Sequence, residues 1–170
     1  MRIAILSDTH DNIWNLRETL MLVKEHRAEA IIHCGDFIAP FMLKELNEAK
    51  IPVHGVFGNN DGDKFLLTKL SLTSLSHITL YDPVGELNLE HFKVAFTHYK
   101  AVAEGLAATG RFDLVCFGHT HEASLDNVGG AYYGFVHAPA GNSASSARSR
   151  SAASSPESLG RIRSSTTAAG

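Results

Sequence analysis

The run Arg2 to Leu6 is short, unbroken in its apolar character after the first residue, and rich in isoleucine. Such a run, without alternation, reads as a strand buried on both faces. The period then changes: from Asn12 to about Ala28, Ile13, Leu16, Leu20 and Val23 recur at the three- and four-residue spacing of one helix face. Residues 30–34 (AIIHC) repeat the strand pattern. Residues 40–49 repeat the helical one, with Pro40 in the first turn, where its missing N–H breaks no helical bond. A third strand reads at 53–57 (VHGVF), followed by a weaker, short helix at 63–70. This βαβαβ rhythm predicts a largely parallel, layered α/β arrangement.

The middle of the chain differs. "HITLYD", "GELNLE" and "FKVAFTH" read as successive strands joined by tight turns, with Asp82, Pro83 and Gly85 supplying the first turn, and predict an antiparallel portion. A helical segment then ends on Gly110, "DLVCFG" reads as another buried strand, and "AYYGFVH" as one more. Two packed sheets with helices outside accommodate these elements. After Asn142 the pattern stops. Residues 143–170 are serine, alanine and arginine with only Leu159 and Ile162 as large apolar residues, too little to offset the entropy of ordering. The expectation is one domain over 1–142 and a disordered tail over 143–170.

Charge sharpens this division. The tail carries four arginines and one glutamate, so the formal charge of −3 conceals a body at −6. An acidic body argues against extended nucleic acid as a partner, because such surfaces carry a basic footprint. Cys34 and Cys116 sit inside apolar runs and no secretory leader precedes the first strand, which predicts free thiols and a cytoplasmic protein. No apolar stretch approaches the roughly 18 residues of a membrane span, so no membrane partner is expected.

Five polar clusters share one placement, each directly after a strand. "SDTH" (7–10) follows the first, Gly35 and Asp36 the second, and "GNND" (58–61) the third; Thr97 and His98, then "GHTH" (118–121), follow two later ones. Open α/β sheets bind ligands at the carboxyl ends of their strands, where the loops converge. Asp8, His10, Asp36, Asn59, His98, His119 and His121 supply carboxylate and carbonyl oxygens and imidazoles, with no thiolate. That donor set suits manganese, iron, zinc or cobalt better than calcium, because so many donors are nitrogen. Seven donors exceed one tetrahedral site and suit two ions, with Asp36 able to bridge through its two oxygens. Single clusters have ordinary explanations, such as helix caps; five in order do not.

The ordered set SDTH, GD, GNND, TH and GHTH resembles the calcineurin-like metallophosphoesterases, in particular the small YfcE-type phosphodiesterases, over residues 1 to about 136. The resemblance implies a four-layer αββα sandwich of two mixed sheets flanked by helices. It implies that Asp8, His10 and His121 hold one metal, that Asn59, His98 and His119 hold the other, and that Asp36 bridges them. The implied reaction is attack of a metal-bridging hydroxide on the phosphorus of a small phosphodiester. Two divalent ions, Mn(2+) first and Ni(2+), Fe, Co(2+) or Zn(2+) as substitutes, are the implied cofactors. Asp36, Asn59 and Asp61 are expected to carry catalysis, with Asp61, Asp11 and Asn12 orienting ligands or water. Asn12 equally reads as the N-cap of the first helix. The family includes dimers and tetramers, so a homo-oligomer is compatible with the resemblance.

This chain departs from the family's pattern in three places. Larger relatives carry a histidine, which helps protonate the leaving group, where this chain has Asn60. A carboxamide is no general acid, which predicts a preference for diesters or for esters with good leaving groups. "THGH" is replaced by "THYK", putting Lys100 either near a substrate phosphate or in solvent. The family's "NPG" segment and last strands are replaced by "HAPAGNSAS". His26, His33, His54, His77, His91 and His137 read as core or surface residues, and Trp14 as packing on the inner or rim face of the first helix. A rival reading is a non-catalytic interaction scaffold of the same fold, as in the retromer subunit, whose metal site is degraded; the intact donor set favours the enzyme.

Overall fold

The computed structural model describes residues 1–89, 91–121, 124–128, 131–135 and 145–148, the last three segments by their backbone. In chain order the elements are β1 (Arg2–Leu6), α1 (Ile13–Glu25), β2 (Ala30–His33), α2 (Pro40–Asn47), β3 (Val53–Val56), α3 (Lys64–Thr73) and β4 (Ile78–Tyr81). They continue with β5 (Val84–Leu89), β6 (Phe92–Thr97), α4 (Lys100–Ala108), β7 (Leu114–Phe117), β8 (Ser124–Val128), β9 (Ala131–Phe135) and β10 (Ser145–Arg148). One sheet runs β10-β1-β2-β3-β4 and the other β5-β6-β7-β9-β8. Each mixes parallel and antiparallel neighbours.

The layers follow from which way successive residues point. Ile3 and Ile5 of β1, Ile32 of β2 and Val56 of β3 pack against Val94 and Phe96 of β6 and Leu114 and Cys116 of β7, filling the space between the sheets. Their neighbours point the other way. Ala4, Leu6, Ile31 and Val53 meet Leu16 and Val23 of α1, Met42, Leu43 and Leu46 of α2 and Leu67 of α3. Ala95, Val115 and Phe117 meet Ala103 and Ala107 of α4. Strands buried on both faces explain their unbroken apolar character, and the result is the expected αββα sandwich of four layers. Each fully buried aliphatic or aromatic side chain contributes about 1.5 to 3 kcal/mol relative to exposure.

Three expectations are corrected. β4 does not join the antiparallel portion: it pairs parallel with β3, and the chain changes sheets over Asp82 and Pro83 before β5 pairs antiparallel with β6. A turn signal marks a change of direction, and it does not say whether the next strand returns to the same sheet. Secondly, within the segment expected to be disordered, residues 145–148 pair antiparallel with β1. This pairing covers the edge of β1 through backbone hydrogen bonds, which a Ser/Ala sequence can supply without an apolar pattern. The rest of the tail, the expected "NPG" position and His137 lie outside the described residues. Thirdly, Trp14 is 71% exposed, with the Arg17 guanidinium 5.8 Å from its ring centroid. The buried stripe of α1 runs through Leu16 and Val23, and Trp14 is displaced from it by about 200° at the roughly 100° turn per residue of a helix.

Among the described residues no helix is long and apolar enough to cross a membrane.

Candidate metal centre

The loops after β1, β2, β3, β6 and β7 meet at one edge of the sandwich. Backbone bonds knit them: Asp8 N–H to Gly35 O at 2.9 Å, His10 N–H to Asp36 O at 3.0 Å, and Gly118 N–H to His98 O at 3.0 Å. The sheets are tied across this edge by His98 Nδ1 on Cys34 O at 2.8 Å and by His119 N–H on Asp8 Oδ2 at 3.1 Å. Close approach needs missing side chains. A Cβ on Gly58 would strike Asp36 Oδ1 and the Asp36 nitrogen, and one on Gly118 would strike Ser7 Oγ and lie 2.9 Å from Asp8 Oδ2.

All seven candidate ligands come together there. Asp8 is buried; its Oδ2 accepts from Ser7 Oγ at 2.5 Å, whereas its buried Oδ1 has no hydrogen-bond partner among the described residues. Around that oxygen stand His121 Nε2 at 3.4 Å and His10 Nε2 at 3.7 Å, themselves 3.4 Å apart. Donor atoms bound about 2.1 Å from one ion are roughly 3.0 to 3.4 Å from each other, so this spacing fits a shared cation. An orphaned buried carboxylate oxygen facing two imidazole nitrogens is otherwise a costly arrangement.

The second group has the same logic. A carbonyl oxygen only accepts, so the bond to Cys34 O places the His98 hydrogen on Nδ1 and turns Nε2 toward Asn59 Oδ1, 2.9 Å away. In a ring with one hydrogen these are two acceptors face to face, an arrangement a cation between them relieves. His119 Nδ1 lies 2.8 Å from the same Asn59 oxygen. Asp36 stands between the groups, its Oδ2 3.6 Å from His98 Nε2 and 3.9 Å from His10 Nε2. The buried carboxylates form the floor, and His119, His121 and Asn59 form an exposed rim.

The backbone carries a second signature. Asp8 (φ 54°), His10 (41°), Asp36 (60°), His119 (74°) and His121 (55°) all adopt the left-handed region, as does Asp11 (56°). Non-glycine residues there cost of order 1 to 3 kcal/mol each and persist where the surroundings over-determine them, most often at functional sites.

The neighbouring polar residues take distinct tasks. Asp61, buried, accepts from three backbone N–H groups: Gly58 at 2.6 Å, Ile38 at 2.7 Å and Asp36 at 3.1 Å. Both its oxygens are thereby engaged between the Asp36 and Asn59 loops. Burial pushes its carboxyl upward, against the pull of those N–H groups. Asn60 donates from its backbone to Asp36 Oδ1 at 2.9 Å and from its carboxamide to Oδ2 at 2.7 Å. Asn12 caps α1 through Asn15 N–H, and Asp11 accepts from Ala39 N–H at the start of α2. Lys100 begins α4, exposed, with Nζ 4.0 Å from Glu104 Oε1.

Sequence reasoning passed over His33. It is completely buried at the end of β2, contacting both the Asp8–His10 loop, through Thr9 Oγ1 at 3.2 Å, and the Asp36 loop, through Gly35 N–H at 3.2 Å. Burial, then the neighbouring His98, pushes its ring down to about 3. The available signal was its place, the last residue of a strand whose following loop carries Asp36.

Known proteins resemble this chain in sequence and fold. The family model of the calcineurin-like phosphoesterase superfamily domain matches residues 1–152. A phosphodiesterase of Methanocaldococcus jannaschii is 33% identical over 130 residues, covering 75% of this chain and 78% of that protein. The solved structure of an archaeal phosphodiesterase superposes with a TM-score of 0.80 at 26% identity, covering 96% of this chain and 98% of the other. That of YfcE, a phosphoesterase from E. coli, superposes at 0.65 with 20% identity over 87% and 88%, a likeness of fold. The sandwich, the converging donor loops and these matches together place the chain in the calcineurin-like phosphoesterase superfamily.

Proposed function

We propose that this protein is a metal-dependent phosphodiesterase that hydrolyses a small phosphodiester at a centre of two divalent ions. The observation that carries the reading is the pair of donor groups on either side of Asp36, one around Asp8 Oδ1, which has no hydrogen-bond partner among the described residues, and one in which His98 Nε2 faces Asn59 Oδ1. Asp8, His10 and His121 would hold one ion, Asn59, His98 and His119 the other, and Asp36 both. Such ions supply Lewis-acid polarisation of a phosphoryl oxygen and a water acidic enough to attack near neutral pH. Oxygen and imidazole donors without thiolate suit Mn(2+), with Ni(2+), Fe, Co(2+) and Zn(2+) as substitutes.

The chain's own residues do the rest. Asn60 orients both oxygens of Asp36, Asp61 holds the loops of Asp36 and Asn59 in register, and His98 is fixed by Cys34 O. Asn60 donates hydrogen bonds but no proton, so the leaving group departs without a general acid at that position, which favours diesters and good leaving groups. The names of the Methanocaldococcus relative and the archaeal structure support the diester class. The acidic body and the two buried thiols suit a small substrate in a reducing cytoplasm.

The test is hydrolysis of a chromogenic phosphodiester and the matching monoester by metal-stripped protein, before and after Mn(2+). Metal-dependent hydrolysis favouring the diester, abolished in Asp36→Asn and His98→Ala, is the expected result. Folded protein that is inactive with each of the named metals would overturn the reading.

A further inference from the structure

His33 has no place among the candidate ligands, yet its ring is enclosed completely and packs beside Phe37 with centroids 4.6 Å apart. Its two nitrogens have opposite tasks. Gly35 presents an N–H to Nδ1, so Nδ1 accepts, and the single ring hydrogen then sits on Nε2 and is donated to Thr9 Oγ1. Both partners occupy strategic positions: Thr9 separates Asp8 from His10, and Gly35 directly precedes Asp36. The backbone rungs from Asp8 to Gly35 and from His10 to Asp36 bracket Thr9 on either side. Asp8 and His10 on either side of Thr9, Gly35 itself, and Asp36 after it all have a positive φ. Backbone in that region keeps its path only where outside contacts hold it. An apolar ring of the same size would fill the space and leave the Thr9 hydroxyl and the Gly35 N–H buried without partners.

We infer that His33 is a positioning residue that couples the two ligand loops, using Thr9 Oγ1 and Gly35 N–H to set Asp8 and His10 against Asp36 and thereby tune the affinity for divalent ions. This rests on the two-metal reading of the site. Residues that orient metal ligands from behind typically account for 10- to 100-fold in affinity. Two predictions separate this role from general core packing: it acts through the Thr9 hydroxyl, and it is already present without metal.

The experiment uses the full chain, stripped of metal and titrated with Mn(2+) by calorimetry, with amide hydrogen exchange at Gly35 followed by NMR before metal is added. Thr9→Val removes only the hydroxyl and is expected to weaken Mn(2+) binding about 10- to 100-fold and to speed Gly35 exchange. Thr9→Ser is expected to rescue both. His33→Asn, which keeps an acceptor near the Nδ1 position but cannot reach Thr9, is expected to match Thr9→Val in affinity, and the double variant to be no weaker than either single one. Additive losses in the double variant, or Thr9→Val that is folded and unchanged in both readouts, would overturn the inference. Should His33→Asn fail to fold, the contrast between Thr9→Val and Thr9→Ser still decides it. Wild-type protein that binds neither Mn(2+) nor any of the substitute ions would sink the phosphodiesterase reading, whereas equal Gly35 exchange in the two Thr9 variants would sink the coupling.

Discussion

The middles of the strands and their carboxyl ends are built from the same segments on opposite terms. In β1, Ile3 and Ile5 enter the space between the sheets, extended and apolar; two residues past its end, Asp8 is a buried carboxylate on left-handed backbone with one oxygen lacking a hydrogen-bond partner among the described residues. In β7, Leu114 and Cys116 pack between the sheets, whereas His119 and His121 beyond it are exposed and again left-handed. Ordinary packing stabilises the sandwich, and the loop edge draws on that stability to hold a strained, charged constellation. Substitutions in the two regions should therefore differ in sign as well as in size.

The largest effect is expected at Asp8. Asp8→Asn should lower hydrolysis on the order of 10³-fold, equivalent to about 4 kcal/mol of barrier, while raising the stability of metal-free protein by about 1 to 3 kcal/mol, because it removes a buried charge whose Oδ1 has no hydrogen-bond partner among the described residues. Urea unfolding beside a turnover assay checks both. A loss of apo stability would erase the contrast between the regions.

Phe96→Ala makes the complementary change between the sheets, where the ring is fully buried and meets Tyr81 edge-on at 5.3 Å. It should cost about 3 to 5 kcal/mol of unfolding free energy, by the same amount with and without Mn(2+).

A smaller effect depends on pH. The folded protein keeps His33 down at about 3, whereas in the unfolded chain it titrates at its ordinary 6.5. Below pH 6.5 the unfolded chain takes up a proton that the folded one refuses, so this contribution is intact above 6.5 and is lost as pH falls toward 3. Denaturation at pH 7 and pH 5 should show lower stability at pH 5, with the difference reduced in His33→Gln.

The smallest change separates two neighbouring carboxylates. Asp63 accepts from Leu66 N–H and caps α3. Asp63→Ala should cost about 1 kcal/mol of stability and leave Mn(2+) affinity unaltered. Asp61→Asn, two residues earlier, should weaken that affinity about 10- to 100-fold in the same calorimetric titration.

Much of this division was legible in the chain. The apolar runs of β1, β2, β3 and β7 and the helical spacing of α1 and α2 reflect burial, which a segment records in its own residues. The donor clusters were legible because Asp, Asn and His gather directly after those runs. His33 was not, because the same residue at a strand end reads as core until its two partners, 24 residues back and two ahead, are known.

By itself, then, the sequence determined the period and burial of each segment and the chemistry placed at its end, since both depend on side chains within a few residues. Tertiary structure alone decided that β4 extends the parallel sheet, that residues 145–148 cover the edge of β1, and that Asp8 and His119, 111 residues apart, share a hydrogen bond. Strand pairing is made by backbone N–H and C=O groups, which every residue but proline carries alike, so the choice of neighbour leaves little trace in local sequence.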